Sequence, residues 1–123
     1  MIAFQMTLYV HGLVVLIIVA TGLLFKYVKV NEINGYVGYR TPRSMKNQDN
    51  WNFAQKISPD ILIKWTLIFF FISLIESLLF NDSQSHLAIN LIVTMTLFMI
   101  SLVIVFLNVE REIKKFEKQN GNG

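Results

Sequence analysis

Cysteine is absent from this 123-residue sequence, which excludes disulfides and thiolate metal sites. Charge is scarce: Asp, Glu, Lys and Arg make up 15% of the residues, against roughly 25% in ordinary soluble domains. Histidine occurs twice and proline twice, and no internal repeat, metal-binding tract or nucleotide-binding fingerprint is present. No Ser/His/Asp or paired-carboxylate arrangement with credible geometry can be assembled. An enzyme is therefore the least favoured class, and no cofactor or metal is expected.

What the chain has is hydrocarbon. Its residues are 54% hydrophobic, more than a soluble fold of this size can hide. Three uninterrupted apolar runs account for the excess: Ile2–Phe25, Ile61–Phe80 and Leu87–Val109. Each has about the 20 residues a helix needs to cross a bilayer core of roughly 30 Å. In lipid the backbone amides have no water to bond, so each run predicts a helix. The expectation is an all-α, integral membrane three-helix bundle in a single domain, residues 1–123. The first run has no Lys or Arg before Lys26 and exceeds signal-peptide length, so it reads as a retained helix.

All 11 Lys and Arg fall on one side of that bundle. Seven lie between Lys26 and Lys64, and Arg111, Lys114, Lys115 and Lys118 follow the third run. The positive-inside rule assigns this side to the cytoplasm, which places the N-terminus outside and the C-terminus inside. The short Asn81–His86 connection makes the second and third helices an antiparallel hairpin.

The connection of residues 26–60 carries structure of its own. Over Gln48–Ile57, Trp51, Phe53, Ala54 and Ile57 share an arc of about 160° on a helix, with polar residues opposite. Asn47 or Asp49 is placed to cap it. This pattern predicts an amphipathic helix lying in the membrane surface, with packing of its apolar face on another segment an equally weighted alternative. Ser58, Pro59 and Asp60 predict a fresh start for the second membrane helix. In the cytoplasmic tail, residues 110–123, Glu110–Lys118 is expected to continue the third helix with alternating charges, its Ile113 and Phe116 suiting a helix near the headgroups.

Polar residues inside the apolar runs need protein or water around them. Asn90, Thr94, Ser101 and Asn108 project within about 40° of one another. Thr66, Ser73, Glu76 and Ser77 form a second stripe, and Thr7, His11 and Gly22 a third, so the helices are expected to pack on these faces or to bring them to a partner. Glu76 and His11 lie at similar depths from the outer end, about 6 Å and 10–14 Å by helical rise. With Gln5 and Asn90 they make a candidate outward-facing polar pocket, the alternative being that Glu76 reaches the outer headgroups.

The stretch "NGYVGYRTPRSMKNQDNWNFAQK" between the first two runs is different in kind. Its glycines permit unusual backbone angles and close approach. Tyr36 and Tyr39 suit a water–lipid interface, while Arg40 and Arg43 offer forked donors to phosphate or carboxylate. From these residues alone, a headgroup anchor and a docking turn are evenly matched. A Gly-x-x-Gly RNA-binding loop has no room for its domain here, so no direct contact with nucleic acid is expected.

The same stretch resembles the signature of the SdpI family of bacterial membrane proteins, through Asn34, Gly38, Arg40, Thr41, Pro42, Ser44 and Trp51. The likeness extends to the three-helix layout. Gln55–Lys56 stands where the family commonly has a basic pair. The resemblance implies a non-enzymatic protein of the bacterial inner membrane, active in toxin immunity or envelope-stress signalling. Its partners would be the lipid bilayer, a peptide toxin on the outer side, and a cytoplasmic regulator or other membrane subunits. Asn34, Gly35, Gly38, Tyr39, Arg40, Thr41, Pro42, Arg43, Ser44 and Trp51 are then the candidate partner- or lipid-binding residues. The competing readings are a small accessory subunit of a larger membrane complex and a small transporter built as a homo-oligomer.

Overall fold

The computed structural model describes residues 2–28, 30–79 and 85–121. They form three α-helices: α1 (Ile2–Tyr27), α2 (Gln48–Leu79) and α3 (Ser85–Gln119). Each helix is long and apolar enough to cross a membrane. The protein is all-helical, as its composition demands, and reads as a multi-pass membrane protein. Of the expected Asn81–His86 turn, residues 81–84 lie outside the described residues.

The central helix is α2, which packs along both neighbours while α1 and α3 share almost no contact. Where their side chains are described, the polar stripes mark the packed faces; those of Thr7, Ser77 and Asn90 lie outside the described residues. Gly22, Thr66, Ser73 and Ser101 are buried, and His11, Glu76, Thr94 and Asn108 are partly buried. Outward-facing Leu16, Ile17, Phe71, Ile75, Ile92 and Val103 are all exposed, as suits side chains whose solvent is lipid. At Gly22 the two backbones come close: an added Cβ would sit 2.8 Å from Cγ1 of Ile63 and 3.7 Å from the Pro59 carbonyl oxygen.

The expected surface-lying helix is not there. Gln48–Ile57 is the first part of α2, which runs unbroken through Pro59. Proline removes one helical hydrogen bond, because it has no N–H to return to the carbonyl of Gln55. Packing overrides that loss. Trp51 and Ala54 are fully buried, and Ala54 joins Val105, Val109 and Ile113 of α3 in the hydrophobic core, with Phe53 and Ile57 against it. Phe53 stacks on Phe116, with ring centroids 4.3 Å apart and planes 10° from parallel. An apolar face satisfied by α3 has no reason to turn into the membrane plane.

The same contacts cover the apolar residues at the end of α3. Glu110–Lys118 continues α3 as expected, but Ile113 is fully buried and Phe116 carries the ring stack, so its apolar residues are covered by α2 rather than by headgroups. Of the two caps that the sequence offers, Asn47 and Asp49, Asn47 is the one used: its side-chain oxygen accepts from the Asn50 N–H at 2.8 Å. Near the other end of that segment, Lys26 and Asp60 pair at 2.6 Å with both side chains about half exposed, a contact that contributes little to stability.

Gly22→Ile forces a β-branched side chain between α1 and α2 and should cost about 1–3 kcal/mol by overpacking. Gly35→Ala, where an added Cβ meets nothing within 4 Å, should stay within about 0.5 kcal/mol of the parent. Thermal unfolding of both variants in one detergent measures the contrast.

Candidate functional site

Residues 30–47 link α1 to α2 and are tied down from both sides. Asn34 starts the turn: its side-chain oxygen accepts from the N–H groups of Tyr36 (2.9 Å) and Val37 (2.8 Å), and its amide donates to the Glu32 carbonyl at 3.0 Å. Gly38 then takes a φ of 110°, a conformation that side chains strain to adopt. An added Cβ there would also collide with the Gln55 amide. This glycine is required twice over.

Gln55 holds the next residue as a strand partner would. Its oxygen accepts from the Tyr39 N–H at 2.8 Å, and its nitrogen donates to the Tyr39 carbonyl at 2.9 Å. Thr41 and Ser44 close a reciprocal pair: Thr41 N–H donates to Ser44 Oγ at 2.9 Å, and Ser44 N–H donates to Thr41 Oγ1 at 3.1 Å. The Trp51 indole N–H donates to the Val30 carbonyl at 2.9 Å, fastening the start of the linker to α2.

Two carboxylates of α3 receive what the linker has to donate. Glu110 and Glu117 are seven residues apart and therefore share a helix face about 10 Å apart along the axis. Glu110 Oε1 accepts from Thr41 Oγ1 at 2.7 Å and from the Tyr39 hydroxyl at 3.2 Å, and Arg43 Nε lies 3.3 Å from its Oε2. Glu117, only 6% exposed, accepts from Arg43 Nη1 at 2.7 Å and from the Asn50 amide at 2.8 Å, with Lys46 Nζ at 3.4 Å. The second hydrogen of that Asn50 amide goes to the Arg43 carbonyl at 2.9 Å.

The electrostatics follow from this cluster. The Asn50 hydrogen bond, reinforced by Lys46 and Arg43 and opposed by burial, holds the Glu117 carboxyl below its ordinary value of 4.5. Glu117 lies beyond the apolar run that ends at Val109. Burial, and then the Glu110 charge, push the Tyr39 hydroxyl above its ordinary 10. Tyr39 therefore stays a neutral donor to Glu110.

The ten sequence candidates thus divide by position. Thr41, Ser44 and Trp51 are buried, Tyr39 is half-buried, and Arg43 spans both carboxylates. Tyr36 is 91% exposed, and Gly35, Arg40 and Pro42 are exposed as well. Among the described residues Arg40 makes no ion pair, whereas Arg43 makes two. Glu110, Glu117, Asn50 and Gln55 escaped the sequence reading. The available signal was the seven-residue spacing of Glu110 and Glu117, which puts both on one face of α3.

In the membrane-embedded half, a cavity of about 150 Å³ is lined by all three helices, with His11, Thr66, Ser73, Thr94 and Ser101 among otherwise apolar walls. Thr94 Oγ1 lies 3.4 Å from Glu76 Oε2. His11 and Thr94 thus meet at this cavity, and Glu76 is attached to it through Thr94. Gln5 is exposed, and the Asn90 side chain lies outside the described residues. Among the described residues, no group of His, Cys, Asp or Glu is placed to hold a metal ion.

Residues 30–108 match the model of the SdpI/YfhL protein family. The match covers well over half of the chain, including the whole linker, all of α2 and most of α3, and ends just before Glu110. No curated protein and no solved structure matches the chain.

Breaking the junction by Arg43→Gln leaves two carboxylates short of their cation, and should cost about 2–4 kcal/mol. Arg40→Gln should stay within about 0.5 kcal/mol. A thermal-shift comparison in detergent decides between them. The lowered Glu117 value also sets a pH sign: its contribution is fully present above the unfolded value and is lost as pH falls through the folded one. Relative to wild type, Glu117→Gln should therefore be destabilised at pH 7, and the difference should shrink below pH 4.5.

Proposed function

The chain belongs to the SdpI/YfhL protein family, and from that membership we propose a non-enzymatic protein of the bacterial inner membrane that acts in toxin immunity or envelope-stress signalling. On this reading the basic side faces the cytoplasm, as the grouping of all 11 Lys and Arg favours. The opposite half meets a hydrophobic peptide within the membrane.

The observation that carries the reading is the three-helix cavity. Its walls are apolar, and its few polar groups come from different helices: His11 from α1, Thr66 and Ser73 from α2, Thr94 and Ser101 from α3. That is the character of a ligand pocket, in which apolar area supplies affinity and a few convergent polar groups supply orientation. Ser73 and Ser101 donate to carbonyls of their own helices at 3.0 Å and 2.7 Å, which leaves oxygen lone pairs as acceptors. The volume suits one or two side chains of a peptide lying against the helices. Gln5, Glu76 and Asn90 complete this outer site in the proposal.

Deletion of the gene should sensitise cells to a secreted peptide toxin, and re-expression should restore resistance. Ser73→Phe, which fills the cavity, should lower the protective dose roughly tenfold, the factor that about 1.4 kcal/mol of lost binding produces. Equal membrane levels of the two proteins must accompany the comparison. No protection by the wild type, together with co-purification at fixed stoichiometry with other membrane proteins, would replace this reading with an accessory subunit.

A further inference from the structure

We propose that the crevice at the basic end of the bundle binds an anionic phospholipid of the adjoining leaflet, with Arg40 and Lys56 as its headgroup cations. The crevice has a volume of about 180 Å³ and is distinct from the cavity in the opposite half. It straddles the level at which the apolar runs end. Phe25, Leu62 and Val105 line it on the membrane side, and Gly38, Gln55 and Ser58 on the polar side. A site that is apolar at one end and polar at the other matches an amphiphile rather than a soluble anion.

The polar end supplies both kinds of hydrogen-bonding group. Ser58 offers a hydroxyl. Pro59, also in the wall, has no N–H to give to the Gln55 carbonyl, so an acceptor is left in the helix at this level. A phosphate can accept from Ser58, and a hydroxylated headgroup can donate to the carbonyl.

The charges agree with this ligand. Arg40 follows Tyr39 and Lys56 follows Gln55, two residues of the crevice wall. Both cations are exposed, and neither makes an ion pair among the described residues. Lys26, by contrast, is paired with Asp60. Arg43 is committed to Glu110 and Glu117 together, and Lys46 to Glu117. The two arginines of the motif therefore have different assignments: Arg43 holds the fold, and Arg40 is left for phosphate. Tyr36, nearly fully exposed, and the partly exposed Val37 beside this wall suit the interfacial layer in which such a headgroup sits.

The test is native mass spectrometry of the full-length protein released from mixed micelles of phosphatidylglycerol and phosphatidylcholine. Phosphatidylglycerol should be retained preferentially. Arg40→Gln and Lys56→Gln should each lower its retention about fivefold, as expected for one basic side chain near a lipid surface. Ser58→Phe, which fills the crevice, should abolish the preference, while Lys118→Gln at the far end of α3 should leave it unchanged. Equal retention of the two lipids would overturn the proposal, as would Ser58→Phe retaining phosphatidylglycerol fully. Equal losses in Lys118→Gln and Arg40→Gln would also overturn it, because they would indicate diffuse surface charge. Displacement of the bound lipid by glycerol 1-phosphate, which has no acyl chain, would refute a lipid site.

Discussion

Glu117 is removed from water yet carries a charge, and such a group is stable only where donors surround it. Its donors come from two places in the chain: Arg43 and Lys46 from the linker, and Asn50 from the first turn of α2. Satisfying this one carboxylate fixes where the linker crosses α3 and sets α2 alongside the α3 extension. Trp51, Ala54, Val109 and Ile113 are then buried as a consequence. The polar cluster and the apolar core support each other. Neither α2 before Pro59 nor α3 after Val109 would have reason to stay helical and aligned alone, since both lie beyond the apolar runs.

That arrangement decides which parts of the basic motif are available. A loop with two arginines could present both, but the Glu110–Glu117 face absorbs Arg43, and the reciprocal Thr41–Ser44 pair turns both hydroxyls inward. What remains outside is Tyr36, Arg40 and Pro42, on a backbone held by Asn34 and Gln55. A rigidly held, partly apolar cationic edge beside an amphipathic crevice is a surface suited to membrane lipid. The opposite half has a different chemistry, an apolar cavity with hydroxyl and imidazole groups, suited to a hydrophobic ligand. The same three helices thus line two sites of unlike character, one midway along the apolar runs and one where those runs meet the basic linker.

Much of this was legible from residue order. Run length and the dielectric of lipid dictate three helices, and the polar stripes at Thr66, Ser73 and Ser101 foretold the packed faces, because polar groups in hydrocarbon must find protein. A cap at Asn47 or Asp49 was equally visible, and the structure uses Asn47. The orientation of Gln48–Ile57 was not. Its apolar face was plain, but an amphipathic face has the same signature whether lipid or α3 covers it, and Pro59 argued for a break that packing overrode. The roles of Arg40 and Arg43 were likewise indistinguishable, since each is a guanidinium three residues from the other. Local sequence determined the helices, their buried faces and the glycine turn, because those depend on short-range geometry and on the solvent. Only the tertiary structure decided which arginine is spent on the fold, because that depends on carboxylates about seventy residues away, brought opposite the linker by the packing of α2 on α3.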